Sequence, residues 1–206
     1  MPTKRKFVAL VLCMALAGAF LITGARAETI AQPVKGEDGL YHHTWFLESF
    51  LDLKEDMATA EANGKRLVVF VEQRGCSYCT KVQTEILVDP KINAFIRKHF
   101  EVVQIDLWGA KEVTDLDGEV TTEGKLARKW RALFTPTIYF MPENFAAAKG
   151  KGGGDAAVAI MPGAFGKGTF YTLFEWVQLK RYKPGEHFQK YVNDQYWKKR
   201  GGRPKK

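Results

Sequence analysis

The sequence predicts an α/β domain, a central mixed sheet flanked by helices, closed by one extra C-terminal helix. Three observations lead there. Apolar residues recur at helical and strand spacing in the order helix, strand, helix, strand, helix, strand, strand, helix. A Cys76-Ser77-Tyr78-Cys79 motif falls between a strand and a helix. Much later, Thr135-Pro136-Thr137 introduces another strand. The 206 residues, 46% of them hydrophobic, suffice for an ordinary core without a disulfide framework or a structural metal.

The N-terminus reads as an export signal. Lys4, Arg5 and Lys6 precede an apolar run over residues 7–22, and Ala25-Arg26-Ala27 supplies a small-x-small cleavage pattern. The run is 16 residues long, short of the about 20 that a bilayer span needs. Residues 1–27 are therefore expected to be cleaved near Ala27, taking Cys13 with them and leaving a periplasmic or otherwise exported protein. Residues 28–49 read as an approach segment, 50–197 as the domain with its C-terminal helical extension, and 198–206 as a basic, disordered tail.

Charge follows the same division. The formal charge of +8 falls to +4 without residues 1–27, and the stretch from Arg181 onward carries +7, leaving −3 for the rest. The basicity thus belongs to a solubilising tail, and an exported chain of this kind is not expected to bind nucleic acid.

Each element has its own signal. Phe50, Leu53, Met57 and Ala60 mark a first helix stopped by Asn63-Gly64. Residues 67–71 form an apolar, β-branched strand that runs toward the cysteines. Residues 77–86 make a helix, and Asp89-Pro90, an N-cap followed by a first-turn proline, starts another that ends near His99. A second strand spans 102–107, and 108–122 is a polar connection. Residues 123–133 return to helix with Leu126, Trp130 and Leu133 inward. Strands at 137–141 and 157–161 flank a glycine-rich stretch, 146–154, that reads as a mobile hairpin loop and lacks phosphate-loop spacing. Phe170, Leu173, Phe174 and Val177 mark the closing helix. Beyond Pro184-Gly185, Phe188, Tyr191, Val192 and Tyr196 mark the extra one.

The chemistry centres on Cys76 and Cys79. A structural disulfide across so short a loop would stabilise little, which leaves redox or metal chemistry. Zinc would need more ligands, and although His42-His43 could offer imidazoles, no second cysteine pair exists. Both histidines read as surface residues. A strand-then-helix context favours a dithiol: the helix N-terminus lowers the pKa of Cys76, the nucleophile, and Cys79 lies one turn deeper to resolve the mixed disulfide. No metal and no bound cofactor is expected.

With these motifs in place the chain resembles thioredoxin: Cys76-Ser77-Tyr78-Cys79 after an apolar strand, then Thr135-Pro136-Thr137, a final hairpin and a helix. The resemblance implies the thioredoxin fold, a cis-proline at Pro136, and a substrate groove framed by Thr135 and Pro136, with Tyr78 either at its edge or packed on a neighbouring loop. Gly64-Lys65-Arg66, Asp89-Pro90, Asp106-Leu107-Trp108-Gly109 and Val113-Thr114-Asp115 further resemble the periplasmic SoxW-like thioredoxins of sulfur-oxidising bacteria. That likeness, over residues 51–192, implies a monomeric reductant of disulfides in exported proteins, recharged by a membrane thiol donor.

Two departures stand out. The thioredoxin Gly-Pro between the cysteines is Ser77-Tyr78 here, which leaves the direction of electron flow open between reductant and oxidase or isomerase. The family's buried aspartate, six residues before the nucleophile, is Phe70. Glu72 lies on the same strand face and is read either as the replacement base for Cys79 or as a solvated strand-end acid. A non-catalytic binding module on the same fold is the remaining alternative. Trp108 and Trp130 read as core or rim residues.

Overall fold

A computed structural model describes residues 30–183 and 185–201. The segment expected to be an export signal, with Cys13, as well as Pro184 and the last five residues of the basic tail, lie outside the described residues.

Four strands form the central sheet in the order β4-β3-β7-β8: β3 (Arg66–Glu72), β4 (Phe100–Asp106), β7 (Thr137–Phe140) and β8 (Ala159–Pro162). β3 and β4 are parallel, while β7 is antiparallel to both of its neighbours. β3 is buried along its whole length, and its side chains divide between two cores by the strand period of two. Leu67, Val69 and Val71 join Leu53, Met57, Leu126 and Trp130 on one face. Val68 and Phe70 join Val82, Ile96, Phe170 and Phe174 on the other.

The first face is covered by α1 (Leu53–Ala62) and α4 (Glu123–Lys129). Asp52 caps α1 by accepting from Lys54 N and Glu55 N at 3.0 and 3.1 Å, a bond set worth about 1 kcal/mol. The chain enters α1 by way of Leu51, whose φ of +63° turns Phe50 fully outward. Phe50 is therefore not part of the helix face assigned to it from spacing. Leu133 is likewise outside: α4 ends at Lys129 with Trp130 as its C-cap, and Arg131 at φ +59° redirects the chain, leaving Leu133 79% exposed.

The second face is covered by α2 (Ser77–Lys81), a π-helical turn (Val82–Ile86), α3 (Pro90–His99) and α7 (Lys167–Gln178). Asp89 caps α3 with Pro90 in its first turn, as the Asp-Pro pair dictates. α8 (Phe188–Lys198) packs on α7, with Tyr191 buried and its hydroxyl donating to Glu175 Oε2 at 2.8 Å. Tyr196, expected inward, is half exposed.

Three segments are more ordered than their composition suggests. Residues 34–47 fold onto the domain: β1 (Val34–Lys35) pairs with β2 (Tyr41–His42), Leu40 and His43 are buried, and Leu47 N donates to Val102 O at 2.9 Å. His43 is thus a core residue, its Nε2 3.1 Å from Gln83 O, and not a surface one. The connection after β4 holds a second small hairpin, β5 (Glu112–Thr114) with β6 (Val120–Thr122). The glycine-rich stretch carries two short helices, α5 (Phe145–Ala148) and α6 (Gly153–Ala156), the second pressed against Trp130. Gly153 N donates to buried Asp115 Oδ1 at 2.8 Å, which pins α6 in place.

Among the described residues no helix is long and apolar enough to cross a membrane.

Candidate active site

β3 delivers the chain to the C-terminal edge of the sheet, where Gly75 at φ +75° turns it into α2. Cys76 is the N-cap of α2, and its Sγ accepts from Cys79 N at 3.0 Å. An amide aimed at this sulfur, together with the adjoining helix start, favours a thiolate at Cys76 in the reduced protein. In the structure Cys76 and Cys79 are joined as a disulfide, Cα atoms 5.2 Å apart. Their environments differ: Cys76 is half-buried, whereas Cys79 is only 5% exposed. A bulky disulfide reaches the first sulfur and not the second.

Thr135 and Pro136 stand across from the cysteines. The bond between them is cis, and Thr135 O lies 3.4 Å from Cys76 Sγ. Gly163 N donates to Pro136 O at 2.7 Å, tying this turn to the end of β8. A groove of about 480 Å³ runs past Cys76, walled by Tyr78, Trp108, Leu133, Phe134 and Thr135. Four of these side chains are large, apolar and mostly exposed: Tyr78, Trp108, Leu133 and Phe134. Trp108 is held upright by its own Nε1–H, which donates to Gln73 Oε1 at 2.7 Å. Tyr78 lines the groove; Trp108 is a rim residue and Trp130 a core one.

Behind the cysteines lies a smaller cavity of about 100 Å³ shared by Cys79, Glu72 and Gln83. Glu72 is 1% exposed, which excludes the solvated strand-end reading. Its Oε2 accepts from Gln83 Nε2 at 2.8 Å and from Gln104 Nε2 at very short range, while Oε1 has no partner. Burial pushes the carboxyl up to about 7, and the two amide donors, which favour the ionised form, only partly offset this. The acid is therefore half-ionised near neutrality and can exchange a proton there. Phe70 is fully buried on the same face, two residues back.

Gln83, Gln104 and the groove residue Phe134 went unread in the sequence, and Leu133 was read as an inward helix residue and not as part of the groove. Gln83 follows Cys79 by four residues, one helical turn, so its approach to the cysteine side was within reach of a spacing argument. Gln104 comes from β4 and carries no local signal. His43, packed near Gln83, is driven by burial down to about 4, against the Gln83 contacts that pull it up, and stays neutral. Among the described residues no group of three or more His, Cys, Asp or Glu could hold a metal.

Fold and site together define a thioredoxin-like domain carrying a solvent-accessible cysteine paired with a buried one. Comparison with known proteins points the same way. Residues 53–150 match the family described as thioredoxin-like domain. A thioredoxin-fold protein from Helicobacter pylori superposes with a TM-score of 0.52 at 17% identity, covering 64% of this chain and 84% of that one, and supports the fold. A thioredoxin from Thermus thermophilus gives 0.47 at 26% identity over 66% and 90% of the two chains. A DsbH oxidoreductase gives 0.45 at 15% over 80% and 96%. No curated protein matches the sequence.

Proposed function

We propose that the chain is a thiol-disulfide oxidoreductase of exported proteins, acting as a reductant. The observation that carries this is the unequal exposure of Cys76 and Cys79 at the mouth of an apolar groove. Cys76 thiolate attacks a substrate disulfide, forming a mixed disulfide and releasing one substrate thiolate. Cys79 then gives its proton to Glu72 and its sulfur attacks Cys76 Sγ; the Cys76–Cys79 disulfide forms and the second substrate thiolate leaves. Two electrons pass to the substrate, and a membrane thiol donor restores the dithiol. Neither metal nor bound cofactor enters the cycle.

The groove suits an extended peptide: Thr135 offers backbone at its wall, with Pro136 buried behind it, and Tyr78, Trp108, Leu133 and Phe134 offer apolar contact. The resemblance of the sequence motifs to SoxW-like thioredoxins supports reading this activity as that of a periplasmic monomer serving sulfur oxidation. Ser77-Tyr78 between the cysteines favours a second reading, an oxidase or isomerase, because the intervening pair sets the relative stability of thiolate and disulfide.

A Cys79→Ser trap tests the proposal. The variant is expected to accumulate mixed disulfides through Cys76 with exported proteins, while wild type reduces insulin catalytically. Absence of both the adducts and the turnover would leave a binding module. A reduction potential near thioredoxin's, about −270 mV, fits a reductant, and one near −120 mV an oxidant.

A further inference from the structure

The amino-terminal hairpin has no part in the cycle above, yet it is fastened to the wall of the active site. Among the described residues β1 and β2 pair only with each other. Three contacts hold them down. Leu40 is buried. Arg74 Nε, two residues before Cys76, donates to Asp38 O at 3.0 Å. Gln104 Nε2 donates to Tyr41 O at 3.1 Å and also to Glu72 Oε2, so one amide joins the hairpin to the buried acid. Gly39 lets the tip lie flat: its φ is +81°, and a Cβ there would stand 2.7 Å from Arg74 Cγ. Lys35, Leu40 and Tyr41 form the outer wall of the cavity shared by Glu72 and Cys79.

We propose that this hairpin is a fitted cover over Glu72, keeping water from the carboxyl and, through Gln104, fixing its orientation, so that closure of the hairpin sets the pH range in which Glu72 takes the Cys79 proton. Leu40 and Gln104 are positioning residues; neither touches substrate. The inference rests on the reading of Glu72 as proton acceptor.

Burial is what holds the proton on Glu72, and the hairpin supplies part of that burial. The charged and titratable groups around the cavity are few. Lys35 and the phenol of Tyr41 lie on its wall, Asp38 is paired with His42 at 3.0 Å, and Arg74 lies in the loop before Cys76. From β4 comes Asp106, in register with Glu72, and His43 sits buried and neutral behind Gln83. The cysteines on α2 complete the set. Opening the cover lets water reach the carboxyl and draws it toward the ordinary glutamate range.

The test is a titration of the Glu72 side-chain carboxyl carbon by NMR in the oxidised, full-length protein, assigned through Glu72→Gln, beside the pH profile of mixed-disulfide resolution. Leu40→Ala is expected to lower the Glu72 midpoint by about one pH unit, a tenfold change in proton activity. The resolution profile is expected to move with it. Gly39→Ala, which pushes the tip off Arg74, is expected to do the same should Leu40→Ala fail to fold, and Leu40→Met to keep the wild-type midpoint. An unmoved midpoint in folded Leu40→Ala and Gly39→Ala overturns the cover while leaving the acceptor in place. A midpoint that moves in Leu40→Ala or Gly39→Ala while resolution stays unchanged there, and unchanged also in Glu72→Gln, overturns the acceptor and with it the control proposed here.

Discussion

Gln83 Nε2 donates to Glu72 Oε2 across 2.8 Å, and both side chains are buried between β3 and the turn that follows α2. The bond satisfies one carboxyl oxygen and leaves the other without a partner. That asymmetry costs most when the group is ionised.

Replacing Glu72 by Gln should therefore stabilise the protein, but only above acid pH. The folded-state value is raised from 4.5 to about 7, so between these limits the folded chain binds more protons than the unfolded one and wild-type stability falls as pH rises. Relative to wild type, Glu72→Gln is expected to be about 3 kcal/mol more stable at pH 8 than the same comparison gives at pH 4. Denaturant unfolding at the two pH values reads this directly, and a gap independent of pH would contradict it.

His43 slopes the other way. Its folded value is lowered to about 4, so the unfolded chain takes up a proton near pH 6.5 that the folded chain refuses. The stability this group contributes is present above pH 6.5 and is lost as pH falls toward 4. Imidazole carbon-bound proton shifts should show His43 neutral down to about pH 4 in the folded protein, and His43→Phe should be less sensitive to acid than wild type.

Two glycine substitutions should have opposite signs. A Cβ on Gly154 would stand 2.9 Å from Trp130 Cα, a backbone atom that cannot step aside, and Gly154→Ala is expected to cost about 1–3 kcal/mol. Gly168 lies within α7 and nothing approaches its Cβ position within 4 Å. Gly168→Ala should gain about 0.5–1 kcal/mol from helix propensity. Thermal unfolding of the pair provides the check.

Lys129 gathers three carboxylates: Asp115 at 2.8 Å, Asp117 at 2.7 Å and Glu119 at 2.7 Å. Partial burial works against its charge, but these acids outweigh it and raise its pKa. Asp115 is fully buried and also accepts from Trp130 Nε1, Leu116 N and Gly153 N. Lys129→Met removes the cation and should cost about 2 kcal/mol, of the order of a charge-assisted hydrogen bond. Faster amide exchange at Gly153 would show that α6 loosens with it.

The order of the main elements was readable because it rests on local periodicity and capping: Asp89 sits where its helix begins, and β3 and β7 follow their apolar runs. What escaped depends on contacts distant in sequence. The glycines at 153 and 154 look like a flexible linker until Trp130 is set against them, where any side chain would collide. Leu133 has the right spacing for an inner face, but Arg131 leaves helical geometry two residues earlier. The face of Glu72 followed from the two-residue period, whereas its burial came from Gln104 and the hairpin, 32 residues after it and about 30 before. The cysteine pair was plain at once, and its unequal exposure was not.

The alternation along β3 has an evolutionary corollary. Since neighbouring positions face opposite layers, a one-residue insertion or deletion between Phe70 and the cysteines, if taken up by the strand, would send the carboxyl of Glu72 into the layer of Leu53 and Trp130 and bring Val71 to the dithiol side. Length changes in this stretch are thus tolerable only in the short bend at Gln73, Arg74 and Gly75, where they alter the reach from acid to nucleophile without turning the acid to the other face.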